Sequence, residues 1–271
     1  MPLTDHLHRK SDPIRAFLDE RLVDFRPARA GWHSAQSGGI LVAGDASWSL
    51  IGWAIDYRIR MMLSQVWIHN SAAWIPFQST IRSVARELNT MQTNHKGPLG
   101  HLSQDEETHL LQICYVMAMY ESVARGSSAV WSNSPLKSLK VGAGWRAHLN
   151  RVSSWDIGIL QNLVVPALEL FAPLADQRIV VGPVFSDGEF VGGADGDLII
   201  NDNLIEVKCE TPGFSGSAVR QVITYALLDA KGEYNLEKCS IYLARYGSLA
   251  TWNLDEIIHE ISLGRYRYAD L

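Results

Sequence analysis

The chain has 271 residues, 47% of them hydrophobic, and a formal net charge of −5. That length admits one large domain or two small ones, and that apolar share excludes global disorder. The acidic balance excludes a generic polyanion binder, so any nucleic-acid surface has to be a local patch.

Cys114, Cys209 and Cys239 form no spaced cluster and fit a reducing cytoplasm. The N-terminal stretch from Met1 to His6 lacks the charged and apolar regions of a signal peptide. The apolar run from Ile40 to Ala54 is interrupted by Asp45, and no run is expected to reach membrane-spanning length. The expectation is a cytoplasmic chain that makes no membrane contact.

Asp12 and Pro13 open a helix, one as its cap and the other in its first turn, with Ile14, Phe17, Leu18 and Leu22 at helical spacing. A loop rich in Gly, Ala and Ser is expected to follow, to about Ala46. Ser47 to Val66 is apolar at helical period, and its segment Gly52 to Arg58 reads as a contact between helices. A further helix is expected over Pro76 to Met91. Ser103, followed by Asp105 and Glu106, caps another that extends to about Arg125.

Residues 127–151 are richer in Ser, Asn, Pro and Gly and read as a looser connection. Lys137, Lys140, Arg146 and Arg151 make it basic, with Trp131 and Trp145 interleaved. It is either a solvated linker or an arm that touches a phosphate backbone.

Ser154 is expected to cap a helix to about Phe171, kinked at Pro166. Strands are expected over Arg178 to Phe185 and from Phe190 into Asp197, the latter broken at Gly192-Gly193. A helix over Ser217 to Ala230, a strand over Cys239 to Arg245, a turn at Gly247 and a strand through Trp252 follow. A last helix, Leu254 to Leu263, is capped by Asn253 or Asp255.

The chemistry concentrates between Gly193 and Lys208. Two short apolar strands, Leu198-Ile199-Ile200 and Leu204-Ile205-Glu206-Val207-Lys208, flank a polar turn. Glu206 and Lys208 project from one face because they are two apart on a strand. An even-numbered loop such as Asp202-Asn203 puts Asp197 on that same face. Two carboxylates and an ammonium therefore converge, and an all-oxygen pair of carboxylates suits Mg²⁺ or Mn²⁺ rather than zinc.

Asp197, the turn and Glu206-Val207-Lys208 resemble the core of the PD-(D/E)XK nuclease superfamily, in its RecB-like branch. Gln221 and Tyr225, four apart on the following helix, are similar to that branch's Gln-x-x-x-Tyr motif. The resemblance covers roughly residues 155–255. It implies an α/β (α+β) fold with a restriction-endonuclease-like core: a mixed central sheet flanked by helices, preceded by a mainly helical N-terminal region. The expected division is residues 1–150 for that region and 151–271 for the core.

The resemblance further implies Mg²⁺- or Mn²⁺-dependent hydrolysis of nucleic acid, DNA before RNA. Asp197, Glu206 and the Val207 carbonyl would hold the metal, and Lys208 would orient water and offset developing charge. Glu169 would be the upstream helical glutamate, and Gln221 and Tyr225 would line the substrate groove. Arg220, Lys137, Lys140 and Arg146 are candidate phosphate contacts. Asp195 competes with Asp197 for the metal, but only Asp197 is followed directly by apolar residues, and Asp195 suits a turn. Three cysteines are too few for the four-cysteine iron–sulfur site of some RecB-like nucleases.

The stretch Ile51 to Arg58 and the tail Ile241 to Gly247 also look similar to bacterial proteins bearing this core, often in antiviral defence or mobile-element systems. The helical region would supply substrate recognition, a homodimer contact or a partner-protein site. The alternatives are a non-cleaving subunit that binds nucleic acid or a partner, and an RNA-cleaving toxin.

Overall fold

The computed structural model describes residues 3–63, 73, 76–96, 98–126, 136, 144–185, 187–188, 194–209, 213–229 and 231–271. The architecture is α+β, with a helical N-terminal region and a five-stranded mixed sheet. The chain divides into two compact units: one is Leu41–Asp176, the other Met1–Ile40 together with Gln177–Leu271. This corrects the boundary expected at residue 150 on both sides. The first forty residues belong with the sheet, and the long helix after Ser153 belongs with the helical unit.

The chain starts with α1 (Leu3–His8), α2 (Pro13–Arg21) and α3 (Arg26–Ala35). Asp12 caps α2, its carboxylate accepting from the Ile14 N–H at 2.9 Å. α3 lies where a loop was expected. Pro27 sits in its first turn, and Ala28 and Trp32, four residues apart, are its buried stripe. The Ala and Gly content that suggested a loop is compatible with a helix once a tryptophan anchors it.

The helical unit holds α4 (Trp48–Leu63), α5 (Gln78–His95), α6 (Gln104–Arg125), the single turn α7 (Arg146–Leu149) and α8 (Ser154–Phe171). α4 is buried along almost all of its second half and packs on α6 and α8. Ser103 and Glu106 form a capping box at the start of α6. Within the segment expected to join helices, Arg58 is fully buried. It meets Glu107 through two bonds of 2.7 Å and donates to the carbonyls of Leu99 at 2.7 Å and Gly100 at 2.8 Å. A buried guanidinium with its donors met in this way ties α4, α6 and the loop between α5 and α6 together.

α8 corrects two expectations. Its cap is Ser153, which accepts from the Asp156 N–H at 3.0 Å. The helix runs through Pro166 to Phe171, the end expected for it. With the following turn it gives one span, Ser154–Leu174, of 21 residues and mean hydropathy 1.6, long and apolar enough to cross a membrane by length and composition alone. No run of that length was expected, and this span is the second correction. The helix packs against α4 and α6, and 39% of its most apolar window is buried.

The sheet contains β1 (Ile179–Val181), β2 (Leu198–Ile200), β3 (Asn203–Lys208), β4 (Lys238–Leu243) and β5 (Ser248–Asn253), in that spatial order. Only the β3–β4 pair is parallel. The crossover between them is α9 (Gly216–Leu227), and α10 (Leu254–Ile261) follows β5 with Asn253 as its cap. β1 is shorter than expected: Gly182 turns at φ 59° and only a bridge from Val184 to Asp195 continues the pairing. The strand expected from Phe190 lies mostly outside the described residues.

One core serves this unit. Leu3, Leu7, Leu18, Leu22 and Trp32 from the N-terminal helices join Ile199, Leu204, Val222, Ile241 and Ile258. α1 packs on α9, and α3 packs on β5 and α10. That is why the first forty residues fold with the sheet.

Candidate active site on β3 and α9

β2 and β3 form a hairpin with Leu198 opposite Ile205 and Ile200 opposite Asn203. The loop is therefore Asn201-Asp202, one residue earlier than Asp202-Asn203, and Asn201 takes the left-handed conformation at φ 57°. The loop length is still even, so Asp197 keeps the face of Glu206 and Lys208. Asp197 Oδ2 accepts from the Val207 N–H at 2.7 Å, which fixes its carboxylate beside β3. Gly196 sits tightly just before it. A Cβ there would come 3.2 Å from Pro183 Cγ and 3.3 Å from Leu204 Cδ1.

β3 is the central strand, with β2 on one side and β4 on the other, and this buries Glu206 to 4% exposure. A carboxylate so desolvated needs a countercharge and hydrogen bonds. Oε1 of Glu206 receives Lys208 Nζ at 2.9 Å and Gln221 Nε2 at 2.9 Å. Lys208 Nζ also donates to Gln221 Oε1 at 2.9 Å. Glu206, Lys208 and Gln221 thus close a three-membered ring of charge-assisted bonds.

Gln221 reaches the strand because α9 packs over β3 and β4. Ser215 caps that helix, accepting from the Ala218 N–H at 3.3 Å. One turn on, the Tyr225 hydroxyl accepts from Gln221 Nε2 at 3.0 Å. Its ring stacks on Phe185 at 5.7 Å and 10°. Burial first, and then the negative field of Glu206, hold the Tyr225 phenol well above its ordinary pKa; Asp195 and Asp197 add to that field, while the Gln221 bond opposes it. This phenol stays protonated across the physiological range.

The structure thus brings together Asp197, Glu206, Val207, Lys208, Gln221 and Tyr225. Asp195 is exposed and in the bridge to Val184, as a turn-shaping residue would be. Glu169 is an exposed residue of α8 in the helical unit. Lys137 and Lys140 lie outside the described residues.

Arg220 is not a solvent-facing phosphate contact. Nη2 pairs with Asp19 Oδ1 at 3.2 Å and the guanidinium lies 4.3 Å over the Phe25 ring, so it fastens α9 to the N-terminal helices. Burial first, then the nearby Arg15, lowers its pKa against the pull of Asp19. Arg146 pairs with Glu87 and lies 4.9 Å over the Trp145 ring, within the helical unit. Phe185, Gly196 and Asp19 had no sequence signal, since each matters only through a partner far along the chain.

The residues present fit a small hard cation. The donors are oxygens throughout, from two carboxylates on neighbouring strands and one backbone carbonyl. Among the described residues no group of three or more His, Cys, Asp or Glu side chains is gathered. Mg²⁺ suits a site of this kind, since it keeps several waters and binds through one or two carboxylates.

Compared with protein-family models, with curated proteins and with solved structures, the chain matches none of them.

Proposed function

We propose that this chain is a metal-dependent nuclease of the PD-(D/E)XK type that hydrolyses phosphodiester bonds, DNA before RNA, in the cytoplasm. One observation carries the reading: the buried Glu206 is held by Lys208 and Gln221 while Asp197 is locked beside the same strand. A solvated surface pair needs no burial and no interlocking amide. A buried carboxylate bonded by an ammonium and an amide, with a second carboxylate fixed beside the same strand, is costly for a fold and suits a site that works.

Asp197, Glu206 and the Val207 carbonyl would hold Mg²⁺ or Mn²⁺. Such a cation supplies Lewis acidity to a phosphoryl oxygen and makes water acidic enough to attack near neutral pH. Lys208 keeps its ammonium at the carboxylate and can orient a water or offset charge that develops on the phosphate. Gln221 fixes the Lys208 and Glu206 head groups relative to each other, so neither has to reorganise during reaction. Tyr225 stays neutral and anchors the Gln221 amide.

The test is purified protein with labelled linear and circular DNA and RNA, in Mg²⁺, Mn²⁺, Ca²⁺ or chelator, alongside Asp197→Asn. Cleavage with Mg²⁺ or Mn²⁺, its loss in chelator and in the variant, and inhibition by Ca²⁺ are expected. Cleavage that survives in excess chelator, or no cleavage of any of these substrates, would sink the reading. A defence or mobile-element setting for this activity is part of the same proposal.

A further inference from the structure

The helical unit has an open pocket of about 260 Å³ lined by Ser83, Arg86, Glu87 and Thr90 of α5 and by Arg146 of α7. Ligand pockets that enclose a metabolite run to about 300–1,000 Å³. This one is smaller and open, which suits a single small group presented from outside.

Its charges are arranged rather than scattered. Glu87 spends its carboxylate on Arg146 and on His109, whose Nε2 is 3.4 Å from Oε1. Arg146 keeps 63% of its side chain exposed and is stiffened by its contact with the Trp145 ring. That indole is buried and donates to Ser83 Oγ at 3.2 Å, which orients the hydroxyl. Arg86 is exposed, and among the described residues no carboxylate pairs with it. Asn89, Thr90 and Thr93 continue the exposed face of α5 beyond Arg86 without an acid, the Thr90 and Thr93 hydroxyls donating to the carbonyls of Arg86 at 2.9 Å and Asn89 at 2.8 Å. Two arginines and the Ser83 hydroxyl against one committed carboxylate leave a net positive pocket in a chain of net charge −5. Forked guanidiniums backed by a hydroxyl are the donors that phosphate oxygens take.

We infer that this pocket binds a phosphate group, and that its occupant is the backbone of a nucleic-acid strand running along the exposed face of α5. The choice of a nucleic acid over a free anion rests on the nuclease reading and on the exposed, acid-free Arg86–Asn89–Thr93 face, which lets a strand run on from the pocket along α5.

The test is fluorescence anisotropy of labelled single-stranded and duplex oligonucleotides with the full chain in chelator, where no cleavage occurs. Inorganic phosphate is the competitor. Arg86→Glu is the principal variant because it breaks no ion pair among the described residues, and circular dichroism checks its fold; Arg86→Lys is the conservative partner. Expected are a loss of at least about tenfold in affinity for Arg86→Glu, partial retention for Arg86→Lys, and a salt slope reduced by about 1. Oligonucleotide binding equal to the parent in Arg86→Glu and Arg146→Glu overturns the inference. Binding of phosphate without binding of oligonucleotides overturns the nucleic-acid occupant. The parent's cleavage assay in Mg²⁺ is read separately. Binding that depends on Arg86 without any cleavage removes the nuclease reading alone, and cleavage with Arg86-independent binding removes this inference alone.

Discussion

Lys208 Nζ stands 2.9 Å from Oε1 of Glu206, in a pair whose side chains are 17% and 5% exposed. Two carboxylates on one hairpin face repel, which on its own makes removal of one charge stabilising. The ion pair reverses that sign. Glu206→Gln strips the buried ammonium of its countercharge and should destabilise the metal-free protein by about 1–3 kcal/mol. Urea denaturation in chelator measures it, and a raised midpoint would mean that repulsion from Asp197 dominates.

Tyr225→Phe keeps the stack on Phe185 and removes only the hydroxyl that accepts from Gln221. Stability should change by about 1 kcal/mol or less. Cleavage should fall by about 10–100-fold, the usual scale for partners that orient metal-site groups. Gln221→Ala should fall further, because it frees both Lys208 and Glu206. A Tyr225→Phe protein that cleaves like the parent would reduce Tyr225 to packing.

Added Mg²⁺ should raise the melting temperature of the parent, since a ligand of the folded state stabilises by mass action, about 2.7 kcal/mol at a hundredfold excess over Kd. Asp197→Asn and Glu206→Gln should lose that response. Lys208→Ala should retain it while losing cleavage, because the ammonium does not ligate. Calorimetric melts of the four proteins decide this. A parent indifferent to Mg²⁺ would make the hairpin purely structural.

His148 is 3% exposed, and burial first, then Arg151, lowers its pKa. The unfolded chain takes up its proton near pH 6.5, while the folded chain resists until lower pH. The stability this contributes is therefore present above about pH 6.5 and is lost as pH falls through the folded value. Denaturation midpoints of the parent and of His148→Gln should converge between about pH 7.5 and pH 5. Parallel curves would show that the ring titrates normally.

The parts of the fold legible in the sequence are those with local causes. Asp12, Ser103 and Asn253 advertise their helices because a cap acts within three residues. The hairpin is legible because strand parity alone puts Asp197, Glu206 and Lys208 on one face, even with the loop shifted by a residue. Gln221 and Tyr225 share a helix face by spacing, but only the resemblance to the Gln-x-x-x-Tyr motif singled them out. What stayed hidden depends on distant partners. α3 is a helix because Trp32 has a core to enter. Arg220 looks like a free cation until Asp19 and Phe25 are seen beside it. Arg86 carried no motif and emerges only from the pocket that Arg146 completes.

The N-terminal helices share a core with a sheet whose first strand begins only at Ile179. During synthesis the ribosome delivers those helices first and then makes the whole helical unit, Leu41–Asp176, before any strand exists. At about 5–20 residues per second that interval is on the order of ten seconds. Throughout it Leu3, Leu7, Leu18, Leu22 and Trp32 have no partner surface, while the helical unit can already close on itself. The nascent chain therefore folds from its middle outward, and its first forty residues are the segment that a holdase at the exit tunnel would grip.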